Sequence, residues 1–205
     1  MFQVIVTAAI LYIATAVDLL VLLLIFFAKA KTKKQYIDIY IGQYIGSLTL
    51  IAISLFLAYV LNFVPEKWIL GLLGLIPIYF GLKVAIFSDD DEGEEVESQL
   101  DKKGLSKLAK TVTLITIVSC GADNIGLFVP YFLMLNINEL IVTILVFVVL
   151  IFVLVFTAQK LSNIPGIGEV VEKFSRWIMA TVYIVLGVFI IYENETIQTL
   201  LSFLN

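Results

Sequence analysis

Six long apolar segments limit what this chain can fold into. A helix of about 20 mostly apolar residues crosses the hydrocarbon core of a bilayer. Segments of about that length or longer occupy residues 4–28, 38–62, 68–87, 111–134, 139–158 and 176–193. Transmembrane barrel strands are about ten residues long and alternate apolar with polar side chains, unlike the apolar run at 19–27. The sequence predicts an all-α integral membrane protein with six transmembrane helices.

The composition favours the same class. Charged residues make up 15% of the chain and hydrophobic residues 61%, whereas soluble domains contain about 25% charged residues. A soluble globular protein is therefore not expected.

The basic residues predict how the helices are oriented. All Lys and Arg residues except Lys67 fall in or beside three of the five connections between the segments. They are Lys29, Lys31, Lys33 and Lys34; Lys83, Lys102, Lys103, Lys107 and Lys110; and Lys160, Lys173 and Arg176. Because positively charged connections stay in the cytoplasm, we expect these three connections inside and both termini outside.

The two halves of the chain have similar patterns. Asp18 and Asp123 follow similar small-residue motifs at an offset of 105 residues, and Gly81 and Gly187 match at an offset of 106. Each half would hold three helices, an odd number, so the second copy would cross the membrane in the opposite sense. The pattern predicts two inverted three-helix repeats, an architecture whose substrate site lies near the midplane at the repeat interface.

This duplication also predicts the domain boundaries. The first repeat would span residues 1–87, an acidic cytoplasmic connector residues 88–110, and the second repeat residues 111–205. Eight of the 17 acidic residues lie at 89–101. We expect a solvated loop there, with the gathering of cations near the pore as the alternative.

Asp18 and Asp123 are the strongest candidates for function. A charged side chain at the centre of a bilayer costs roughly 2.5–3.5 kcal/mol on insertion scales, so a carboxylate there is expected to have a function. Each lies about 18–21 Å into its segment, against a hydrocarbon core of about 30 Å. The sequence places no Lys or Arg at that depth, so we expect a transported cation, a proton or both to neutralise them.

Other polar residues lie at helical spacing from the two aspartates. Those that share one face of the fourth segment are Thr113, Thr116, Cys120 and Asp123, with Asn124 at its border. Thr15 precedes Asp18 by three residues, and the second segment carries Gln43, Ser47 and Ser54. The predicted metal site comprises Asp18, Asp123, Cys120, Asn124, Thr15, Thr116 and Gln43. The alternatives are a hydrogen bond to the preceding turn for each hydroxyl and a small hydrophobic role for Cys120.

Pro130 favours a local distortion in the fourth segment. It cannot donate a hydrogen bond to the carbonyl of Gly126, and Gly121 and Gly126 flank Asp123 on either side. A bent or partly unwound segment would offer backbone carbonyls to a cation. The alternative is that Pro and Gly serve packing alone, which is also the expectation for Pro77.

The available ligands restrict the metals that the chain can bind. The chain contains no histidine and one cysteine, Cys120, so no intramolecular disulfide can form. A thiolate favours zinc, cadmium or copper(I), whereas oxygen ligands alone favour magnesium, calcium or manganese. Two close carboxylates in a membrane resist joint ionisation, so a proton and a metal ion would compete for the site.

Four motifs together resemble a known family. They are Tyr12–Leu20, Ile41–Gly46, Leu70–Tyr79 and Ser119–Asn124. Their combination is similar to the cadmium-resistance transporter family of CadD type, within the LysE translocator superfamily. The resemblance covers essentially the whole chain. It implies export of cadmium, with zinc as a further candidate, across the bacterial plasma membrane, with Asp18 and the Cys120, Asp123 and Asn124 cluster at the site.

We expect a secondary exporter, because no nucleotide-binding fingerprint for ATP hydrolysis is present. An enzyme is not expected, because no further catalytic signature accompanies the two aspartates. Its expected partners are the divalent cation as substrate, protons and the lipid bilayer. No cofactor and no nucleic acid are expected, and a homo-oligomer stays open. The alternatives are an exporter of amino acids or other organic cations, an intramembrane aspartyl enzyme, and a structural membrane subunit.

Overall fold

The computed structural model describes residues 1–63, 67–86, 108–164 and 166–202. Within these residues the chain forms helices and no strand. The helices are α1 (Phe2–Lys29), α2 (Lys33–Leu61), α3 (Lys67–Leu72), α4 (Leu75–Ile86), α5 (Leu108–Leu133), α6 (Ile137–Leu161), α7 (Ile167–Glu193) and α8 (Thr196–Ser202). The all-α prediction is confirmed.

Some of the predicted features fall outside the described residues. They are residues 88–107 of the acidic connector, with Lys102, Lys103 and Lys107, and the side chains of Lys173 and Arg176. The division into two repeats and a connector stays a prediction.

Five stretches are long and apolar enough to cross a membrane: Phe2–Lys29, Lys33–Leu61, Trp68–Ile86, Leu108–Leu133 and Ile137–Leu161. The predicted sixth span corresponds to the apolar part of α7, Trp177–Glu193, which is shorter than these five. Helix α7 itself begins at Ile167, nine residues before the predicted span, because the helix continues through polar sequence that the apolar pattern leaves out.

Two of the membrane-length helices begin with a capping box. The Thr32 side chain accepts a hydrogen bond from the Gln35 backbone, and the Gln35 side chain accepts one from the Thr32 backbone. Asn136 and Glu139 form the same arrangement at the start of α6. These residues satisfy backbone donors that a helix start leaves unpaired, which explains why α2 and α6 begin where they do.

The third predicted span is divided into α3 and α4. Leu73 N–H donates to the Leu70 carbonyl and Gly74 N–H to the Gly71 carbonyl, both one residue closer than in an α-helix. Pro77 cannot donate to the Leu73 carbonyl, which instead accepts a hydrogen bond from Ile76 N–H. The tighter turn therefore satisfies the carbonyl that Pro77 leaves available.

Helix α5, in contrast, is continuous through Gly121, Gly126 and Pro130. The partial unwinding that the sequence favoured here is not present. Gly126 instead permits close packing on α4, since a Cβ atom there would lie 2.8 Å from Phe80 Cε2 and 2.9 Å from Ile76 Cγ2. The packing alternative explains this glycine.

Four helix pairs organise the bundle. Helix α2 packs along α5, α4 packs along α7, and α1 packs on both α6 and α7. Aromatic contacts hold the centre of the core: the Phe147 ring centroid lies 5.3 Å from that of Tyr12 and 4.9 Å from that of Phe128. The α2–α5 pair brings the polar faces of these two helices together.

Candidate functional site

The polar faces of α2 and α5 meet because glycine lets the two helices approach closely. A Cβ atom on Gly42 would lie 2.5 Å from the Ala109 carbonyl oxygen and 2.7 Å from Val112 Cβ. The Thr113 hydroxyl donates to the Gly42 carbonyl at 3.0 Å and to the Ala109 carbonyl at 2.9 Å. Small residues at membrane helix interfaces commonly permit such an approach. Any larger residue at position 42 would separate the polar side chains of the two helices.

A chain of three buried polar side chains crosses this interface. Thr116 Oγ1 donates to Gln43 Oε1 at 2.9 Å, and Gln43 Nε2 donates to Ser47 Oγ at 2.9 Å. Gln43 is 1% exposed and Thr116 2%. The structure thus brings together two of the predicted site residues. Gln43 uses both ends of its amide here, so it links α2 to α5.

Tyr12 extends this polar group toward α1. Its hydroxyl lies beside the Ser47 side chain of α2. Tyr12 is 2% exposed. The predicted site did not include Tyr12, because an aromatic residue in an apolar helix is usually a packing residue. The available signal was its position three residues before Thr15, on the buried face of α1.

Cys120 and Asn124 lie together on α5. Asn124 Nδ2 donates to the Cys120 carbonyl oxygen at 2.7 Å, and both side chains are buried. Because the amide nitrogen is used on the same helix, Oδ1 is the Asn124 atom that suits a cation. If a metal ion binds here, the sulfur of Cys120 would be its soft ligand.

Thr15 makes the local hydrogen bond that was the alternative to metal binding. Its hydroxyl donates to the Tyr12 carbonyl at 3.0 Å. Ser54 does the same to the Leu50 carbonyl at 2.8 Å. A hydroxyl that donates in this way still has oxygen lone pairs for a ligand. Metal binding by Thr15 therefore stays a prediction.

Asp18 and Asp123 are both half-buried. Asp18 is the seventeenth of the 28 residues in α1, and Asp123 is the sixteenth of the 26 residues in α5. Both are thus well inside their helices. Across the described ranges, no group of three or more His, Cys, Asp or Glu side chains is arranged to hold a metal ion. Asp18, Cys120 and Asp123 therefore form no such group in this structure, and their joint site stays a prediction.

Comparison with known proteins gives a family match for this chain. A family model described as cadmium resistance transporter matches residues 12–203. No curated protein and no solved structure matches the chain. The family match begins at Tyr12 and includes all seven predicted site residues. It confirms the resemblance that the motifs indicated, and the chain belongs to the cadmium resistance transporter family.

Proposed function

We propose that this chain exports divalent heavy-metal cations from the bacterial cytoplasm across the plasma membrane in exchange for protons. Cadmium is the principal substrate and zinc the second. The observation that carries the proposal is the family match over residues 12–203. The helices long and apolar enough to cross a membrane support it.

The substrate site in this proposal centres on Asp18 and Asp123. Carboxylates inside a membrane usually mark an ion pathway, and each of these two is half-buried within a helix of membrane length. Cys120 supplies the thiolate that distinguishes cadmium and zinc from harder cations. Asn124, Thr15, Thr116 and Gln43 supply neutral oxygens around the path.

The proposed architecture consists of two inverted three-helix repeats, with α7 as the sixth span. A Cβ atom on Gly74 would lie 2.5 Å from the Gly187 carbonyl oxygen. An offset of 106 relates position 74 to Ala180 and relates Gly81 to position 187. A Cβ atom on Gly81 would lie 3.0 Å from the Ala180 carbonyl oxygen. A shift of 106 residues turns Gly74 into Ala180 and Gly187 into Gly81, so it converts the first contact into the second. This correspondence supports a two-fold relation between the two repeats.

The helix pairing supports the same architecture. If α1, α2 and α3–α4 correspond to α5, α6 and α7, the close pair α2–α5 corresponds to α6–α1. Both pairs pack extensively, and the self-corresponding pair α4–α7 does as well. In the proposed orientation both termini lie outside, with Lys29, Lys83, Lys110 and Lys160 at the cytoplasmic helix ends.

A flux experiment tests the proposed function. Purified protein in liposomes should transport cadmium and zinc faster than manganese, and lysine should neither move nor compete. Protein-free liposomes give the leak rate. Lysine transport with no effect of metals would favour the amino-acid exporter instead, and no cadmium flux above the leak would exclude cadmium export.

A further inference from the structure

The helix bundle consists of two closely packed units. Helices α2 and α5 pack more extensively on each other than on the other helices. Thr113 and Thr116 of α5 donate hydrogen bonds to the Gly42 carbonyl and to Gln43 of α2. Helices α1, α4, α6 and α7 pack mainly on one another, as the pairs α1–α6, α1–α7 and α4–α7. We call the contact between these two units the seam.

The seam separates the two aspartates of the proposed site. Asp18 belongs to α1 and Asp123 to α5, so each unit carries one of them. A relative movement of the units would therefore change the distance between the two carboxylates. Alternating access in inverted-repeat transporters is largely such a movement, in which one unit rocks against the other.

A short hydrogen bond crosses the seam at its lysine-rich end. The Tyr40 hydroxyl of α2 donates to Gln159 Oε1 of α6 at 2.6 Å. Tyr40 is the eighth residue of α2, and Gln159 precedes Lys160 in the last turn of α6. Both side chains are half-buried. The bond therefore lies at the end of the bundle that the proposed orientation places in the cytoplasm.

Aromatic rings accompany this hydrogen bond. The Tyr40 ring centroid lies 6.0 Å from that of Phe27 on α1 and 6.3 Å from that of Phe152 on α6. Tyr40 thus contacts two helices of the opposite unit. Phe27 lies nine residues beyond Asp18, about 13.5 Å along the helix axis at 1.5 Å per residue. These contacts therefore lie between Asp18 and the cytoplasmic helix ends.

Two further hydrogen bonds across the seam are longer. The Tyr44 hydroxyl donates to the Val148 carbonyl at 3.3 Å, and the Tyr131 hydroxyl donates to the Val4 carbonyl at 3.4 Å near the opposite end of the bundle. Hydrogen bonds between two oxygen atoms usually measure about 2.5–3.0 Å. The bond of Tyr40 is therefore the best formed of these three.

We propose that the Tyr40–Gln159 hydrogen bond holds a cytoplasmic gate closed, and that the cation enters the seam when this bond breaks. This inference rests on the proposed function. Neither side chain carries a charge that would hold a cation at the gate, and a single neutral hydrogen bond is weak enough to break in every transport cycle. Both groups are half-buried near helix ends, so water can replace the lost partner.

Cys120 can report the opening of this gate. It is the only cysteine of the chain, it is 3% exposed, and it is the thirteenth of the 26 residues in α5. Tyr40→Phe removes the hydroxyl and keeps the ring that contacts Phe27. A membrane-impermeant thiol reagent on the cytoplasmic face of membrane vesicles should modify Cys120 about three- to tenfold faster in this variant, the effect of losing one hydrogen bond. The rate from the outer face should not rise.

Tyr59→Phe is the matched control, because it makes the same change toward the other end of α2. Tyr59 is 65% exposed, so the labelling rate should stay at the parental value. Gln159→Met removes the acceptor of the hydrogen bond and should act as Tyr40→Phe does. Combining these two changes should add nothing further, because both remove the same bond.

A labelling rate in Tyr40→Phe equal to the parental rate would overturn the inference. An equal rise from both faces would also overturn it, because that result indicates a general loosening of the bundle. If Tyr40→Phe fails to fold, Gln159→Met decides in the same way. A parental protein that moves no cadmium refutes the proposed function and, with it, a gate for that cation. Cadmium flux with unchanged labelling in Tyr40→Phe refutes the gate alone.

Discussion

At the scale of single residues, Asp18 and Asp123 carry the charge that the proposed mechanism needs. Asp18→Asn and Asp123→Asn keep the side-chain size but remove one charge from the path. We expect each variant to lose cadmium flux by at least about tenfold, the lower limit for disturbing groups around a metal site. Flux into liposomes, normalised to the inserted protein, measures the effect.

Asp38→Asn is the matched control for these variants. Asp38 is also half-buried, but it lies in the second turn of α2, near the helix end that begins at Lys33. This change should leave cadmium flux near the parental rate. Parental flux in Asp18→Asn or Asp123→Asn would show that the residue concerned is neither an essential ligand nor a proton carrier.

In the proposed site, Cys120 is the residue that favours soft metal ions over hard ones. Cys120→Ser exchanges a thiol for a hydroxyl at a side chain that is 3% exposed. Cadmium affinity should fall more than manganese affinity, because thiolate prefers soft metals. Competition between the two metals for flux measures the ratio. Equal losses would indicate a packing defect, and no loss would return Cys120 to the role of a small hydrophobic residue.

The sequence predicted some parts of the site and not others. Helical spacing identified the polar faces of α2 and α5, and Gln43 and Thr116 do meet. The partner of Gln43 was not predictable, because the register between the helices depends on the approach at Gly42 and Gly46. The predicted site left Tyr12 out, because the position of Ser47 beside its hydroxyl depends on how α2 packs against α1.

At the scale of helices, the contact between α4 and α7 depends on the absence of a side chain. A Cβ atom on Gly187 would contact the Gly74 carbonyl oxygen and would lie 2.6 Å from Ile78 Cγ1. Gly187→Val should therefore lower the free energy of unfolding by about 1–3 kcal/mol, the range for overpacking. Denaturation in detergent measures this change.

Val185→Ala is the control on the same helix. Val185 is 63% exposed, so its truncation should have little effect on stability. Equal stability of Gly187→Val and the parental protein would contradict the close α4–α7 contact.

Apolar length predicted the membrane helices well but did not predict their interruptions. Long runs such as 4–28 and 111–134 correspond to α1 and α5 within a few residues. The division between α3 and α4 depends on backbone hydrogen bonds that satisfy the Leu73 carbonyl beside Pro77. Helix α8 has seven residues and contacts α3 through Thr196, whose hydroxyl donates to the Trp68 carbonyl. A tertiary contact of this kind produces no periodic pattern in the sequence, so α8 could not be predicted from such a pattern.

At the scale of the whole molecule, the proposed orientation places the first helix connection in the cytoplasm. Lys31 lies between α1 and α2, and Asn138 lies in the first turn of α6; both are exposed. Single cysteines can be placed at these positions in a Cys120→Ser background, because Cys120 is the only cysteine. A membrane-impermeant maleimide should label Asn138→Cys in intact cells and Lys31→Cys only after permeabilisation. The reverse pattern would invert the topology.

Energy coupling is the remaining property of the whole molecule. Moving a charge against the membrane potential costs about 2.3 kcal/mol per 100 mV, so expelling a divalent cation from a negative interior costs about 4.6 kcal/mol per 100 mV. A uniporter would thus carry the metal inward. An exporter without a nucleotide site needs another gradient, and incoming protons that replace the metal on Asp18 and Asp123 would provide it.

Liposomes that contain a pH-sensitive dye test this coupling directly. Metal movement should produce an opposite proton movement, and imposed acidity on the side that receives the metal should accelerate it. Asp18→Asn or Asp123→Asn should abolish both signals, whereas Asp38→Asn should preserve them. Cadmium flux without any proton signal would refute antiport while leaving the metal site intact, because a carboxylate can bind the cation without exchanging a proton. The dye experiment therefore tests the driving force of transport independently of the metal site.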